Sequence, residues 1–302
     1  MRTARRAADG TTFACDAASA RNGWAANALA NMEQIDFGTF EHLGWERVAQ
    51  SYHAYFGKLT VQSSNAMLDA LAVQRDTQFL DVASGPGYLA AAAASRGAKV
   101  VGVDFSATMV AQAKHLHPDL EFRVGDAENL PFPDACFDAA GIAFGMLHFP
   151  HPERALEHVF RVLKPGGRIA FSVWASPDRA VGFRMVLAAV AAHGTMDVPL
   201  PPGPPFFRFS DPDESARALL DAGFVEPQVQ EIEQTLMLRA PETPFHMLMR
   251  GGVRMAAVLN AQTPDALAQI ESAVARDTEP YRNDAGELCV PMPCIVASAL
   301  KR

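Results

Sequence analysis

The sequence contains few cysteines and no long apolar run. Four cysteines in 302 residues do not make a disulfide framework in a chain of this length. Cys289 and Cys294 lack the spacing of a zinc knuckle, and no second pair accompanies them. No apolar run approaches the roughly 18 residues of a membrane-spanning helix. We therefore expect no metal site, no membrane span and a reducing, cytoplasmic location.

Positive charge is also scarce. The chain has 26 Lys and Arg against 34 Asp and Glu, a formal net charge of −8. Proteins that bind nucleic acid neutralise phosphates with clustered basic residues, whereas the basic residues here are dispersed. The expected partner is a small-molecule substrate and not a nucleic acid, and a homodimer is a candidate assembly.

Residues 1–31 differ in composition from the rest of the chain. They carry Arg2, Arg5, Arg6 and Arg21 among many alanines. A secretory signal needs a continuous apolar stretch of about 7–15 residues, and this segment has none. We predict a disordered tail over 1–31 and a single folded domain over 32–302, for which Met32 is a candidate start.

Between residues 77 and 174, short apolar runs alternate with stretches of helical spacing. This alternation predicts βαβ units, and hence a parallel sheet covered by helices on both faces. Gly97 stands where a helix C-terminal glycine belongs, and Ser106 stands at a helix N-cap position. The predicted strands are 78–83, 98–103, 120–124, 137–144 and 168–173, and the predicted helices are 88–95, 107–115 and 153–163.

The flanking regions are mainly helical by pattern. Residues 37–72 have apolar residues at three- and four-residue intervals. After Trp174 we predict helices over 177–194, from Asp211-Pro212 to Gly223, and over 244–278. Single strands are predicted over 226–238 and 288–298.

A glycine turn follows the first predicted strand and precedes a helix. Glycine lets the backbone approach a ligand closely, because no Cβ intervenes. The spacing Gly85-x-Gly87-x-x-Ala90 also fits a dinucleotide fingerprint. By itself the turn is compatible with two cofactor classes and with a simple tight connection.

Three later motifs accompany this turn. Asp104 ends the second strand 17 residues after Gly87, and a carboxylate there can accept hydrogen bonds from both hydroxyls of a ribose. Gly-Asp-Ala-Glu-Asn-Leu-Pro-Phe follows the third strand at 125–132, and Leu-Lys-Pro-Gly-Gly-Arg leads into the fifth at 163–168.

Together these motifs resemble class I S-adenosylmethionine (SAM)-dependent methyltransferases, in particular the ubiquinone/menaquinone-biosynthesis type (methyltransferase domain 11-like). The resemblance covers Trp45 to Trp174 well and the remainder loosely. It implies an α/β fold with a Rossmann-like, seven-stranded, mostly parallel sheet in the order 3-2-1-4-5-7-6, with helices on both faces and a helical lid. The SAM-binding core is expected at about 73–175, and the lid at about 37–56, 177–209 and 241–281.

The resemblance also implies roles for individual residues. Asp81 is expected to organise the turn and to reach the SAM amino group. Asp104 is expected to hold the ribose, and Asp126 to accept a hydrogen bond from the adenine. Tyr52 either closes over the cofactor or is a core aromatic. The other expected contacts are the turn Ala83, Ser84, Gly85, Pro86 and Gly87 at the methionine end, Phe105 and Ala127 at the adenine, and Ala143 and Phe144 beside the sulfonium.

Tyr88 departs from the family pattern, because many relatives have glycine or an acidic residue there. This puts in doubt the shape of the pocket near the methionine end.

The implied activity is direct SN2 transfer of a methyl group from SAM, leaving S-adenosylhomocysteine (SAH). His148, after the fourth strand, is a candidate general base or an orienting residue, and His151 is a weaker alternative. The predicted lid is rich in aromatic and thioether side chains, which suit an apolar or aromatic metabolite but also an ordinary lid core: Phe206, Phe207, Phe209, Met185, Met247, Met249 and Met255.

Two other functions remain open on the sequence. An NAD(P)-dependent oxidoreductase is favoured by the glycine spacing and Asp104. A non-catalytic binding protein with a SAM fold would normally have lost the cofactor turn, which this chain retains.

Overall fold

The computed structural model describes residues 35–302, and the tail predicted for 1–31 lies outside them. The described part of the chain contains ten α-helices, with short 3₁₀ turns between some of them. They are α1 (Phe37–Thr60), α2 (Ser64–Ala70), α3 (Tyr88–Ser95), α4 (Ala107–Leu116), α5 (Pro152–Val162), α6 (Val181–His193), α7 (Pro212–Asp221), α8 (Pro244–Gly251), α9 (Arg254–Asn260) and α10 (Pro264–Thr278).

The helices pack around a seven-stranded sheet. Its strands are β1 (Gln78–Val82), β2 (Lys99–Asp104), β3 (Glu121–Val124), β4 (Phe137–Ala143), β5 (Leu163–Trp174), β6 (Val225–Ile232) and β9 (Cys294–Leu300). The order is β3-β2-β1-β4-β5-β9-β6. Strand β9 runs antiparallel to β5 and β6, and the other pairs are parallel. The predicted order is confirmed, with β9 as the seventh strand.

A separate two-stranded antiparallel sheet joins β7 (Thr235–Arg239) and β8 (Glu287–Pro291). The predictions of single strands over 226–238 and 288–298 were therefore wrong. The chain leaves the large sheet at Gln234, whose carbonyl accepts a hydrogen bond from the Met292 amide. Pro291 and Pro293 flank Met292 and have no amide to donate, so the ladder breaks between β8 and β9.

The predicted helical stretches are also divided. Residues 37–72 form α1 and α2 with a 3₁₀ turn between them, and residues 244–278 form α8, α9 and α10. Helix α8 ends at Gly251, with Gly252 as its C-cap, since glycine has a high conformational entropy cost in a helix. The Thr263 side chain caps α10 by accepting from the Ala266 amide at 3.2 Å, and Pro264 occupies the first turn.

Predicted helix ends near the glycine turn are confirmed. Ser106 Oγ accepts from the Met109 amide at 3.1 Å and caps α4. Gly97 ends α3 with a φ of +84°, a conformation that favours glycine.

The core lies on both faces of the central strands. Phe79, Leu80 and Val82 of β1 are fully buried, and each such side chain contributes about 1.5–3 kcal/mol on burial. Buried parallel strands require this apolar run. The carboxyl ends of β1, β2 and β4 meet at one edge, where functional sites of open α/β sheets lie. Within residues 35–302, no helix is long and apolar enough to cross a membrane.

Candidate active site

A cleft opens at the carboxyl ends of β1, β2 and β4, beneath α1. It contains about 920 Å³ of empty space, including space open to solvent. The residues predicted to contact a cofactor line this cleft, with the exception of Asp81 and Gly87: Tyr52, Ala83, Ser84, Gly85, Pro86, Asp104, Phe105, Asp126, Ala127, Ala143 and Phe144.

Asp81 and Gly87 shape the turn from behind. Asp81 is fully buried, and its Oδ2 accepts from the Ala90 amide at 2.9 Å, while Oδ1 has no partner among the described residues. Burial raises the pKa of Asp81 to about 8. Gly87 has a φ of +83°, and a Cβ on it would lie 2.6 Å from the Phe122 ring. The turn therefore requires glycine there.

Asp104 ties two loops together at the end of β2. Its Oδ2 accepts from the Gly85 amide at 2.8 Å, and its Oδ1 accepts from the Ser106 amide at 2.9 Å. Each oxygen has a second lone pair, so both can still accept from ligand hydroxyls. Burial raises the pKa of Asp104 to about 6.

Asp126 stands at the far end of the cleft, after β3. Its Oδ1 accepts from the Glu128 amide at 2.8 Å, which fixes the 3₁₀ turn Ala127–Asn129. Glu128 in turn accepts from the His151 amide at 2.7 Å. His151, the weaker catalytic candidate, stands at the N-cap position of α5 without a side-chain cap and is not among the residues that line the cleft.

The charge of the cleft separates the candidate ligands. Asp104, Asp126 and Glu128 line it, and no Lys or Arg is among the described residues that do so. A dinucleotide pyrophosphate would face these carboxylates without a cation to balance it. A ligand with a sulfonium and an ammonium suits them. The buried, unpartnered Ser84 Oγ and Asp81 Oδ1 add polar atoms beneath the turn, so the residues present fit SAM.

A second, apolar chamber adjoins the cleft and contains about 410 Å³ of empty space, including space open to solvent. Trp45, Tyr52, Phe144 and His148 line both spaces. All three segments predicted as lid contribute to its walls, which also include Phe56, Trp174, Phe183, Phe206, Leu248, Gly251, Gly252, Val253, Arg254 and Met255.

The lid side chains predicted to suit an apolar ligand divide into two groups. Phe206 and Met255 line the chamber. The others do not line it: Phe209, Met185 and Met247 are buried in the hydrophobic core, and Phe207 and Met249 pack against that core. Phe209, for example, packs on Phe171 of β5 with ring centroids 5.8 Å apart. For these five residues the interpretation as lid core applies.

His148 lies between the cleft and the chamber. Its Nδ1 is 2.9 Å from Glu41 Oε2, and Trp45 packs edge-on against its ring at 4.7 Å. Its Nε2 has no hydrogen-bond partner among residues 35–302. The His148 ring thus lines both spaces, and its Nδ1 is already held by Glu41.

Glu41 was missed in the sequence, although it is fully buried. It accepts from Trp45 Nε1 at 3.1 Å and from Arg254 Nε at 2.8 Å, in addition to its contact with His148. Burial raises the pKa of Glu41, but the charges and hydrogen bonds of His148 and Arg254 outweigh it and hold the pKa below its ordinary value. One signal was available: Glu41 lies on the apolar face of α1 with Phe37 and Phe40, and a buried charge needs a partner.

Tyr88, the departure from the family pattern, lies at the rim of the cleft. Its hydroxyl is 2.5 Å from His53 Nδ1 of α1 and packs against Gly57, where a Cβ would collide with it. Tyr88 thus joins α1 to the glycine turn.

Comparison with known proteins agrees with this geometry. Residues 80–171 match the family model described as methyltransferase domain. Within residues 80–171 the chain is therefore similar to methyltransferase domains.

Its curated relatives include demethylmenaquinone methyltransferases. The protein of Paenarthrobacter aurescens is 41% identical over 111 residues, which cover 37% of this chain and 44% of the relative. The protein of Beutenbergia cavernae is 42% identical over 115 residues, covering 38% and 48% respectively. The chain thus spans less than half the length of these relatives.

Solved structures share the fold. A SAM-dependent methyltransferase of Thermotoga maritima is 20% identical, with a TM-score of 0.51 over 87% of this chain and all of the other. A phosphoethanolamine N-methyltransferase of Haemonchus contortus is 18% identical, with a TM-score of 0.54 over 88% of this chain and 60% of the other. At these identities the likeness describes the fold alone.

Proposed function

We propose that the protein is a methyltransferase that moves the methyl group of SAM to a small, hydroxylated aromatic acceptor. The observation that carries the proposal is the junction of two unlike spaces. A carboxylate-lined cleft meets an aromatic chamber at Tyr52, Phe144 and His148. Such a junction suits a cationic methyl donor on one side and an aromatic acceptor on the other.

When bound, SAM supplies a methyl group on a positively charged sulfur with a good leaving group. Asp104 would hold the ribose hydroxyls, and Asp126 and Ala127 the adenine. The turn from Ala83 to Gly87, with Asp81 behind it, would hold the methionine end. Phe105 would pack on the adenine, Ala143 and Phe144 would lie beside the sulfonium, and Tyr52 would cover it.

The acceptor class is inferred from the chamber. Aromatic walls favour a planar aromatic ligand through edge and face contacts. Most of the wall residues lie outside the matched residues 80–171. The match to the family model therefore does not define the acceptor, and the acceptor class is inferred from the chamber walls. The relatives' activity on demethylmenaquinone supports a quinol as one member of this class.

The chain's contribution to the reaction is alignment, exclusion of water and removal of a proton. Holding donor and acceptor in line makes the transfer effectively unimolecular. His148 would accept the proton of the acceptor hydroxyl, because its ring lines both spaces and its Nε2 has no hydrogen-bond partner among residues 35–302. A base of this kind contributes about 10²–10⁴-fold.

Binding and transfer assays test the proposal. Calorimetry should detect SAH binding and no NADH binding. Radiolabelled SAM should then methylate phenols, catechols or a short-chain reduced demethylmenaquinone, but not an aliphatic acid of similar size. Tight NADH binding without SAH binding would favour the oxidoreductase alternative, and SAH binding without transfer to any aromatic acceptor would favour a non-catalytic protein.

Location and assembly are further parts of the proposal. The described cysteines Cys136, Cys289 and Cys294 are unpaired, which supports a reducing, cytoplasmic location. The absence of a nucleic-acid partner and the homodimer remain predictions from the sequence. Sedimentation velocity at micromolar concentration tests the homodimer.

A further inference from the structure

We propose that Glu41 and Arg254 are positioning residues that make His148 a proton acceptor directed at the acceptor chamber. The inference rests on the proposed function, since it assigns the base for that transfer. It joins three parts of the chain that are distant in sequence: α1, the turn after β4 and α9.

The first step concerns the proton on His148. An ionised carboxylate accepts hydrogen bonds and cannot donate them, and Glu41 takes the ionised form beside the Arg254 guanidinium, whose Nε donates to Glu41 Oε1 at 2.8 Å. His148 Nδ1, 2.9 Å from Glu41 Oε2, must therefore carry a proton. In the neutral ring the lone pair is then on Nε2.

The second step concerns the direction of Nε2. His148 lines both the cleft and the chamber, and the described residues offer Nε2 no partner. Trp45, edge-on at 4.7 Å, and the Glu41 carboxylate restrict rotation of the ring. The basic nitrogen is thus left for a ligand group.

The third step concerns Arg254, which joins the lid segments to Glu41. Its Nε donates to Glu41 Oε1 at 2.8 Å, its Nη1 to the Pro204 carbonyl at 2.8 Å, and its Nη2 to the Leu147 carbonyl. The guanidinium also lies over Phe37 at 4.3 Å and Phe206 at 5.6 Å. A buried charge without its partner is strongly unfavourable, so Glu41 is stable in place when Arg254 is held beside it by the Pro204 and Leu147 carbonyls.

The chemical step balances as follows. The acceptor hydroxyl gives its proton to His148 Nε2, and the resulting imidazolium lies beside the Glu41 carboxylate. The electron pair that this proton leaves on the hydroxyl oxygen forms the new bond to the methyl carbon. The pair of the breaking sulfur–carbon bond stays on sulfur, giving the neutral thioether SAH. The proton leaves to solvent after product release.

Glu41→Gln is the central variant, assayed with two aromatic acceptors of the same size. One has an ordinary phenol, and the other has a phenol already ionised at the assay pH. With the ordinary phenol, kcat should fall about 10²–10³-fold. With the ionised phenol the loss should shrink to within about threefold, because no base is needed. A merely structural role would reduce both rates equally, and that result would overturn the proposal.

Glu242→Gln is the matched control. Glu242 also ties α1 to the lid, by accepting from Tyr55 Oη at 3.1 Å and Arg250 Nη1 at 2.9 Å, but it lines neither space. It should leave kcat for both acceptors within about twofold. Arg254→Met should follow the pattern of Glu41→Gln, with a smaller loss, because it leaves the carboxylate contact to His148.

A measurement on the unmodified protein remains valid if Glu41→Gln fails to fold. Nitrogen-15 NMR of labelled histidine, with the His148 signals assigned by their loss in His148→Gln, should show the Nδ1–H tautomer at high pH. The Nε2–H tautomer would overturn the proposal.

Failure of this inference is distinguishable from failure of the proposed function. If SAH binds and aromatic acceptors are methylated, but Glu41→Gln behaves like Glu242→Gln, the positioning role is wrong and the function stands. If no acceptor is methylated, the function is wrong, and the tautomer still tests the placement of His148.

Discussion

The cofactor cleft and the acceptor chamber are built in different ways. The cleft is formed mainly by turns that follow β1, β2, β3 and β4, within the segment that matches the methyltransferase domain. The chamber is formed by side chains from α1, from the region around α6 and from α8 and α9. Backbone amides and carboxylates define the first, and aromatic packing defines the second. A cleft of this kind suits one constant ligand, whereas the chamber wall can change without disturbing it.

The largest expected effect lies in the cleft. Asp104→Ala removes the acceptor for the Gly85 and Ser106 amides and the proposed ribose contact. Hydrogen bonds to a charged group are each worth about 1.5–3 kcal/mol, so SAH affinity should fall about 100-fold or more by calorimetry. Asp134→Asn, at an exposed carboxylate paired with Arg161, is the control and should bind normally. Near-normal binding by Asp104→Ala would mean that the ribose is held elsewhere.

The charge of the cleft predicts a pH dependence. Burial raises the pKa of Asp104 to about 6 and that of Asp81 to about 8, while SAH favours the ionised forms through its ammonium and hydroxyl groups. SAH affinity should therefore rise about tenfold from pH 6 to pH 8, with release of protons measurable by calorimetry in two buffers. Asp104→Asn should lose the lower part of this rise.

The same carboxyls bear on stability without ligand. Their folded-state pKa values lie above the unfolded value of about 3.9, so the folded chain binds more protons between pH 4 and 8. Their contribution to the free energy of unfolding is greatest at low pH and decreases as the pH rises through 6 and 8. Denaturant titrations of Asp104→Asn should show a weaker decrease than the unmodified protein. An equal decrease in both would place the titrating groups elsewhere.

A change in the chamber wall should weaken binding of the acceptor and leave binding of the cofactor unchanged. Phe206→Ala removes an aromatic wall residue that does not line the cleft. Aromatic contacts contribute about 0.5–1.5 kcal/mol beyond burial, so KM for an aromatic acceptor should rise about tenfold while SAH affinity stays within twofold. Phe207→Ala, a neighbour with a ring centroid 4.8 Å away that does not line the chamber, should change KM less. A parallel loss of SAH affinity would show that the two spaces are not independent.

This contrast also explains what could be predicted from the sequence. Local patterns predicted the strand order, the Ser106 cap and the positions of Asp104 and Asp126 in the cleft. They could do so because a strand end and the turn after it are neighbours in the chain. Glu41 and Arg254 could not be paired, since 213 residues separate them and neither belongs to a motif. The split of the last strands was missed because a switch between two sheets leaves the apolar pattern unchanged.

Variants at Tyr88 test whether α1 helps to retain the cofactor in the cleft or only forms part of the chamber wall. Burial raises the pKa of its hydroxyl to about 12, so it stays protonated and shares a hydrogen bond with His53 Nδ1. Tyr88→Phe keeps the ring and removes this bond, which is worth about 1 kcal/mol and less at an exposed partner. SAH should dissociate about threefold faster, measured by stopped-flow tryptophan fluorescence, to which Trp45 in the cleft lining contributes.

Gly57→Ala is the informative companion, because its Cβ would collide with the Tyr88 hydroxyl. It should speed dissociation more than Tyr88→Phe, and the double variant should recover part of the loss, since phenylalanine has no hydroxyl to collide with. If neither variant changes the dissociation rate, α1 does not retain the cofactor, and its role is confined to the chamber. If both do, one helix closes both spaces, through Tyr88 on one side and Glu41 on the other.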